Sequence, residues 1–223
     1  MMVTDSIPET PRLVILISGT GSNMLALVEA CRRGDLDATV AGVISNRPDA
    51  AGVQHARDRD IPALVVDHKE FSDRLAFDKA MMDAIDEFDP DLVVLAGFMR
   101  ILTPEFVRHY QGRLLNIHPS LLPLYPGLNT HQRAIDAGDS THGVSVHFVT
   151  EELDGGPVVA QAVVSVTADD SANSLKDKVH AQEHVLYPIV VKWFVEGRLR
   201  LTSKSVTLDG KELPASGLRL DAL

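Results

Sequence analysis

The sequence has one cysteine, one tryptophan and few aromatics of any kind, 5% in all. Cys31 has no partner for an intrachain disulfide, so a disulfide scaffold is excluded. The aromatic share is too small for a base-stacking platform. Basic residues are short as well: 21 Lys and Arg face 31 Asp and Glu, for a formal net charge of −10. That balance speaks against a broad basic face for nucleic acid. The longest apolar run, Leu92 to Met99, falls far short of the roughly 20 residues that cross a bilayer. The opening Met1-Met2-Val3-Thr4-Asp5-Ser6-Ile7-Pro8-Glu9 shows neither the basic nor the apolar region of a secretory signal. The expectation is a soluble, cytoplasmic protein that meets neither nucleic acid nor membrane. Its oligomeric state is left open.

What is present is globular: 45% hydrophobic and 23% charged residues. Short apolar runs alternate with amphipathic stretches. Leu13 to Ile17 reads as a strand buried on both faces, and further strands follow at Ala38–Ile44, Ala63–Val66, Leu92–Ala96, Leu114–His118, Thr141–Phe148 and Val158–Val164. Helices are expected between them, at Met24–Arg33, 50–60, 72–88, after the Thr103-Pro104 start, at 130–138 and at 171–196, the last kinked at Pro188. Val206 to Leu213 reads as a hairpin around Asp209-Gly210. This order predicts an α/β protein: a Rossmann-like, mostly parallel sheet with helices on both faces and a small C-terminal hairpin. No repeat or linker divides residues 1–223, so one domain is expected, with 1–11 a loose arm and 214–223 a frayed tail. Ligands of such sheets bind beyond the carboxyl ends of the strands.

The residues there carry chemistry. Gly19-Thr20-Gly21-Ser22-Asn23 follows the first strand and opens a helix. Glycines let backbone N–H groups approach an anion, and the helix start adds partial positive charge. A phosphate site and a plain tight turn both suit this loop. It is no dinucleotide fingerprint, because Met24 stands where the third glycine belongs. Asn116 and His118 alternate onto one side of a strand that Pro119 ends. An amide and an imidazole so placed can hydrogen-bond a developing oxyanion, although a structural pair is an equal reading. Pro119 to His131 is an apolar, Pro-rich loop, either the wall of a site or a packed surface loop. Asp154 stands in an acidic turn with Gly155-Gly156 and can orient a histidine or only make the turn. His180-Ala181-Gln182-Glu183-His184 has the H-x-x-E-H zinc-hydrolase spacing, but two histidines on one helix need a third ligand. A solvated helix face, and a Glu that accepts from a substrate, are the other readings.

Together, Ile17 to Asn23, Leu95 to Leu102, Asn116 to Pro123, His142 to Val149, Leu153 to Pro157 and Gln182-Glu183-His184 resemble the glycinamide ribonucleotide formyltransferases, folate-dependent enzymes of purine synthesis. The six matches run in order from about Arg12 to Leu213. The resemblance implies transfer of the formyl group of 10-formyltetrahydrofolate to the amine of glycinamide ribonucleotide, two small-molecule partners and no metal. It implies a catalytic set of Asn116, His118 and Asp154. The glycinamide ribonucleotide would contact Gly21, Ser22, Asn23, His180, Ala181, Gln182 and Glu183. The folate would contact Arg74, Met99, Arg100, Ile101, Leu102, Asn116, Thr150, Glu151, Glu152, Leu153 and Asp154. The chemistry is consistent: Asn116 donates to the oxyanion, and His118 donates when protonated, a form a neighbouring carboxylate favours. The sequence departs from some relatives at Leu124, Asn129 and His180. A formyltetrahydrofolate hydrolase, a methionyl-tRNA formyltransferase and a non-catalytic phosphate-ligand binder are the alternatives. The tRNA enzyme needs a further tRNA-binding domain, and the hydrolase a regulatory one.

Overall fold

Leu13 to Ile17 are all fully buried, and their side chains alternate between two separate apolar cores. Leu13, Ile15 and Ile17 face one core; Val14 and Leu16 face the other. That is why the run carries no polar residue: this strand, β1 (Arg12–Ile17), has no solvent side. The protein is described by a computed structural model covering residues 10–202 and 205–221.

Seven more strands share its sheet: β2 (Thr39–Ser45), β3 (Ala63–Val65), β4 (Leu92–Leu95), β5 (Leu114–His118), β6 (Thr141–Phe148), β7 (Val158–Ser165) and β11 (Leu218–Asp221). Their spatial order is β11-β7-β6-β5-β4-β1-β2-β3. The β3-β2-β1-β4-β5 half is parallel; β6 is antiparallel to both β5 and β7. The chain leaves β1 toward β2 on one side and returns at β4 on the other, so a crevice opens beyond the carboxyl ends of β1 and β4.

Helices cover both faces. Buried side chains of α1 (Ser22–Arg33), α2 (Ala51–Arg57) and α6 (Ala172–Val195) join one core; those of α3 (Arg74–Asp86) and α4 (Pro104–His109) join the other. A short helix, α5 (Thr130–Asp136), sits between β5 and β6. Local sequence sets the ends. Gly34 closes α1 in the left-handed region, the Asp73 carboxylate accepts the Ala76 N–H, Thr103 caps α4 ahead of Pro104, and Ser171 and Ser174 form a capping box. The last helix continues past Pro188 to Val195.

Two expectations at the C-terminal end change. The hairpin, β9 (Val206–Leu208) and β10 (Lys211–Glu212), gains a third strand, β8 (Leu199–Leu201). The segment read as a frayed tail instead contributes β11, parallel to β7, and partly buried Leu218 and Leu220 pack on the core. Two leucines two residues apart are too short a pattern to announce a strand. Of the expected loose arm, residues 1–9 lie outside the described residues; Pro11 already accepts the Thr39 N–H.

Candidate active site

The first strand ends at Ile17, and the chain turns through Ser18-Gly19-Thr20 to Gly21, the N-cap of α1. Gly21 has φ +76°, and a Cβ there would stand 2.9 Å from Met24 Cε and 3.1 Å from the Gly52 Cα. Only glycine suits this position, and the first N–H groups of α1 remain available at the crevice. The Asn23 side chain bonds to α6. Its Nδ2 donates to Glu183 Oε2 at 2.8 Å, and both residues are buried. This bond joins α1 to α6 across 160 residues of chain. His180 Nε2 lies 3.7 Å from the same Glu183 oxygen, and His180 stacks on His184 rather than converging with it on a common point. The Oδ1 of Asn23 and the Oε1 of Gln182 are buried without a protein partner. Among the described residues, no three His, Cys, Asp or Glu are grouped to hold a metal ion.

A second cluster lies at the end of β5. Asn116 pairs across the antiparallel ladder with His147 of β6. Asn116 Nδ2 is 3.2 Å from His147 Nε2, and His147 Nδ1 is 3.0 Å from the Phe148 carbonyl oxygen. A carbonyl can only accept, so Nδ1 carries the ring proton and Nε2 accepts from Asn116. Burial pushes the His147 pKa down, which keeps this neutral tautomer in place. The Asn116 amide is thereby oriented, with one Nδ2 proton spent and one free.

Asp154 enters from the turn after β6 with φ +51°, a left-handed conformation that Asp tolerates better than most residues. Its Oδ2 accepts the Gly127 N–H at 2.8 Å and lies 3.5 Å from His118 Nδ1; its Oδ1 lies 3.9 Å from His147 Nε2. His118 Nε2 faces the Tyr125 carbonyl at 2.9 Å. His118 and Asp154 are both largely buried in side chain. The Pro-rich loop is therefore part of the site through backbone atoms of Tyr125 and Gly127. The Ser145 hydroxyl and the Gln161 amide bind Ser120 and Leu122 and hold the loop's base. Its far end carries His131, whose Nδ1 is 3.2 Å from His142 Nε2. Burial, and then the charge on His142, depresses the His131 pKa to about 4.

Beside Asn116 opens a cavity of about 130 Å³. Arg100, Ile101, Leu102, Asn116 and Thr150 to Asp154, all expected toward the folate, line it. Met99 and Arg74 do not; both are exposed outside the lining. The sequence reading missed Leu95, Phe98, Val107, His147 and Val149 among the lining residues. His147 had a usable indication, because strand alternation puts it on the face opposite Val146 and Phe148. Tyr125 and Gly127 had none, because they act through the main chain.

The formyl transferase family pattern matches residues 11–191. The chain is 51% identical over 209 residues to the phosphoribosylglycinamide formyltransferase of Escherichia coli K12, covering 94% of this chain and 99% of that one. It superimposes on the phosphoribosylglycinamide formyltransferase of Coxiella burnetii with a TM-score of 0.91 and 50% identity, over 95% of this chain and 99% of that one. The glycinamide ribonucleotide transformylase 1 of Symbiobacterium toebii gives 0.87 at 40% identity, over 89% and 94%. On these matches the chain belongs to the phosphoribosylglycinamide formyltransferase family of formyl transferases.

Proposed function

We propose that this enzyme, as a single formyltransferase domain, moves the formyl group of 10-formyltetrahydrofolate to the amine of glycinamide ribonucleotide. The observation that carries the reading is a cavity lined by both Asn116 and Asp154, with His118 Nδ1 3.5 Å from the Asp154 carboxylate. Support for the folate comes from the lining: Leu95, Phe98, Ile101, Leu102, Val107 and Val149 offer apolar walls to a flat ring, and the turn at Thr150 to Asp154 offers polar groups to its edge. The folate supplies an activated formyl carbon. Arg74, Met99 and Arg100 would complete its site. The phosphate of the acceptor belongs at Gly21, Ser22 and Asn23, where the α1 N-terminus is open, and Glu183 with His180 to Gln182 would hold its ribose and amine end.

The chain's own chemistry then follows. The free Nδ2 proton of Asn116 donates to the formyl oxygen as charge grows on it, and it is already aimed, so little reorganisation is needed. His118 is bracketed by the Asp154 carboxylate and the Tyr125 carbonyl, so a proton on either ring nitrogen has an acceptor. The Asp154 carboxylate stands between the two histidines, Oδ2 toward His118 and Oδ1 toward His147; as the amine bonds to the formyl carbon and the formyl–folate bond breaks, it relays the amine proton to the leaving folate nitrogen. None of these steps calls for a metal ion.

The test is a spectrophotometric assay with a 10-formylfolate, with and without glycinamide ribonucleotide. Turnover that requires the acceptor is the expected result. Acceptor-independent loss of formyl identifies a hydrolase, and no turnover with either identifies a binder. Stoichiometric zinc, lost with activity on chelation, would also overturn the reading.

A further inference from the structure

The wall formed by residues 97–103 has no regular secondary structure between β4 and α4. Its outward side chains, Met99 and Ile101, are 66% and 56% exposed, while Phe98 and Leu102 pack on the core. Backbone hydrogen bonds to two buried side chains add to that anchoring. The Met99 N–H donates to the Ser18 hydroxyl at 2.7 Å, and that hydroxyl donates to Asn46 Oδ1. The Thr103 N–H donates to Asp78 Oδ2 at 2.5 Å.

Asp78 is the unexpected partner. It sits on α3 and is fully buried, next to Phe77, which shares a core with Phe98 of the wall. A carboxylate is a costly acceptor for one N–H in such a place, where a serine or a carbonyl would serve. Its second oxygen, Oδ1, is buried with no protein partner, and so is Arg100 Nε. The Arg100 guanidinium lies 5.9 Å from the centre of the Phe77 ring, on the residue before Asp78. Arg74 stands one helical turn before Asp78 on the same helix. Burial pushes the Asp78 pKa up; the hydrogen bonds from Thr103 and the charges of Arg74 and Arg100 oppose that shift. The carboxylate thus lies near two of the residues assigned to the folate and holds the backbone of the segment that carries one of them.

We propose that Asp78 is a positioning residue for the formylfolate: its carboxylate fixes the 97–103 segment and the neighbouring Arg100 in the shape that binds the folate. The proposal rests on the reading of this wall as the folate site. Its function is therefore to set folate affinity, without touching the reacting atoms.

The experiment measures kcat and both KM values for Asp78→Asn and for Ile101→Ala, a direct change to the wall. Asn keeps the shape, removes the charge and turns an amide toward Arg100. Asp78→Asn should raise the KM for formylfolate about tenfold and leave that for glycinamide ribonucleotide within about twofold. The kcat at saturating folate should stay within about threefold. The ¹³C-methyl resonance of Met99 should shift while the melting temperature is nearly kept. Equal increases in both KM values, or a loss tracking the unfolded fraction, would reduce Asp78 to a structural residue. An unchanged folate KM in Asp78→Asn with a raised one in Ile101→Ala defeats this proposal and spares the folate site. An unchanged folate KM in both variants defeats both. If Asp78→Asn does not fold, Asp78→Ser, which keeps a hydroxyl acceptor and removes the charge, is read in the same way, and an unchanged folate KM defeats the proposal equally.

Discussion

Asn116 and His147 show how one register pair orients an amide. The neutral imidazole accepts one Nδ2 proton and leaves the other free, the donor that the proposed reaction uses. Asn116→Ala removes that donor, and turnover should fall by about 10²–10³, roughly 2.7–4 kcal/mol, with both KM values within about tenfold. Steady-state kinetics check it; a rise in KM at constant kcat would make Asn116 a binding residue only. Asp154 needs a more careful substitution. Its φ of +51° penalises Ala, so a loss in Asp154→Ala would mix backbone strain with lost charge. Asn accepts that conformation and can still take the Gly127 N–H, so Asp154→Asn isolates the charge. Turnover should drop by about 10²–10³ while both substrates bind within about tenfold. Near-normal turnover would remove the carboxylate from the proton path. At this scale the sequence was informative about side chains and silent about main-chain atoms. Asn116, His118 and Asp154 could be singled out by residue type and position and joined into one set by the family resemblance, whereas the Tyr125 carbonyl and the Gly127 N–H could not, because any residue supplies them.

The Pro119 to His131 segment is the element on which these contacts converge. Its prolines and apolar residues left two readings open, a wall beside a site or a packed surface loop; the anchoring by Ser145 and Gln161 was not legible, since these polar residues of β6 and β7 are buried. Alternation assigns residues to faces, but it does not tell a solvent face from one closed by a loop. The segment also carries a pH dependence. His131 titrates near 4 in the folded chain, against the ordinary 6.5, because burial and His142 oppose its charging. Between those values the unfolded chain binds more protons than the folded one, so stability rises with pH across the window and is lost as pH falls from 6.5 toward 4. His142, also depressed by burial, adds to the same slope. Urea midpoints measured from pH 7 to pH 4 should fall, and His131→Gln should flatten that fall. An identical slope in the variant would take His131 out of the linkage.

At the scale of the whole molecule, the parallel half of the sheet was legible because fully buried strands read as apolar runs, and two helix ends because Gly34 and Thr103 are caps with a mechanism. The antiparallel placement of β6 and the edge strand β11 were not, because strand direction and edge pairing depend on partners distant in sequence. The same holds for what joins the two substrate sides. One face of α6 presents Glu183 to Asn23 and, a turn later, Tyr187 to the sheet. The fully buried Tyr187 hydroxyl lies 2.9 Å from the Leu95 carbonyl oxygen and 3.1 Å from that of Leu115. Its one proton is shared between β4 and β5, directly beneath Asn116. Burial pushes the phenol pKa far up, so the group stays neutral at every working pH. Tyr187→Phe keeps the ring and deletes this bolt. It should cost about 1–2 kcal/mol, the worth of a buried hydrogen bond whose acceptors are left behind. For a chain of this size that lowers the melting temperature by roughly 2–8 °C. Since the ring still fills its place between α6 and the sheet, kcat at 25 °C should hold within about threefold. Calorimetry and kinetics on the same preparation decide the matter: an unchanged melting temperature with a tenfold lower kcat would mean that the hydroxyl tunes Asn116 rather than clamping α6 to the sheet.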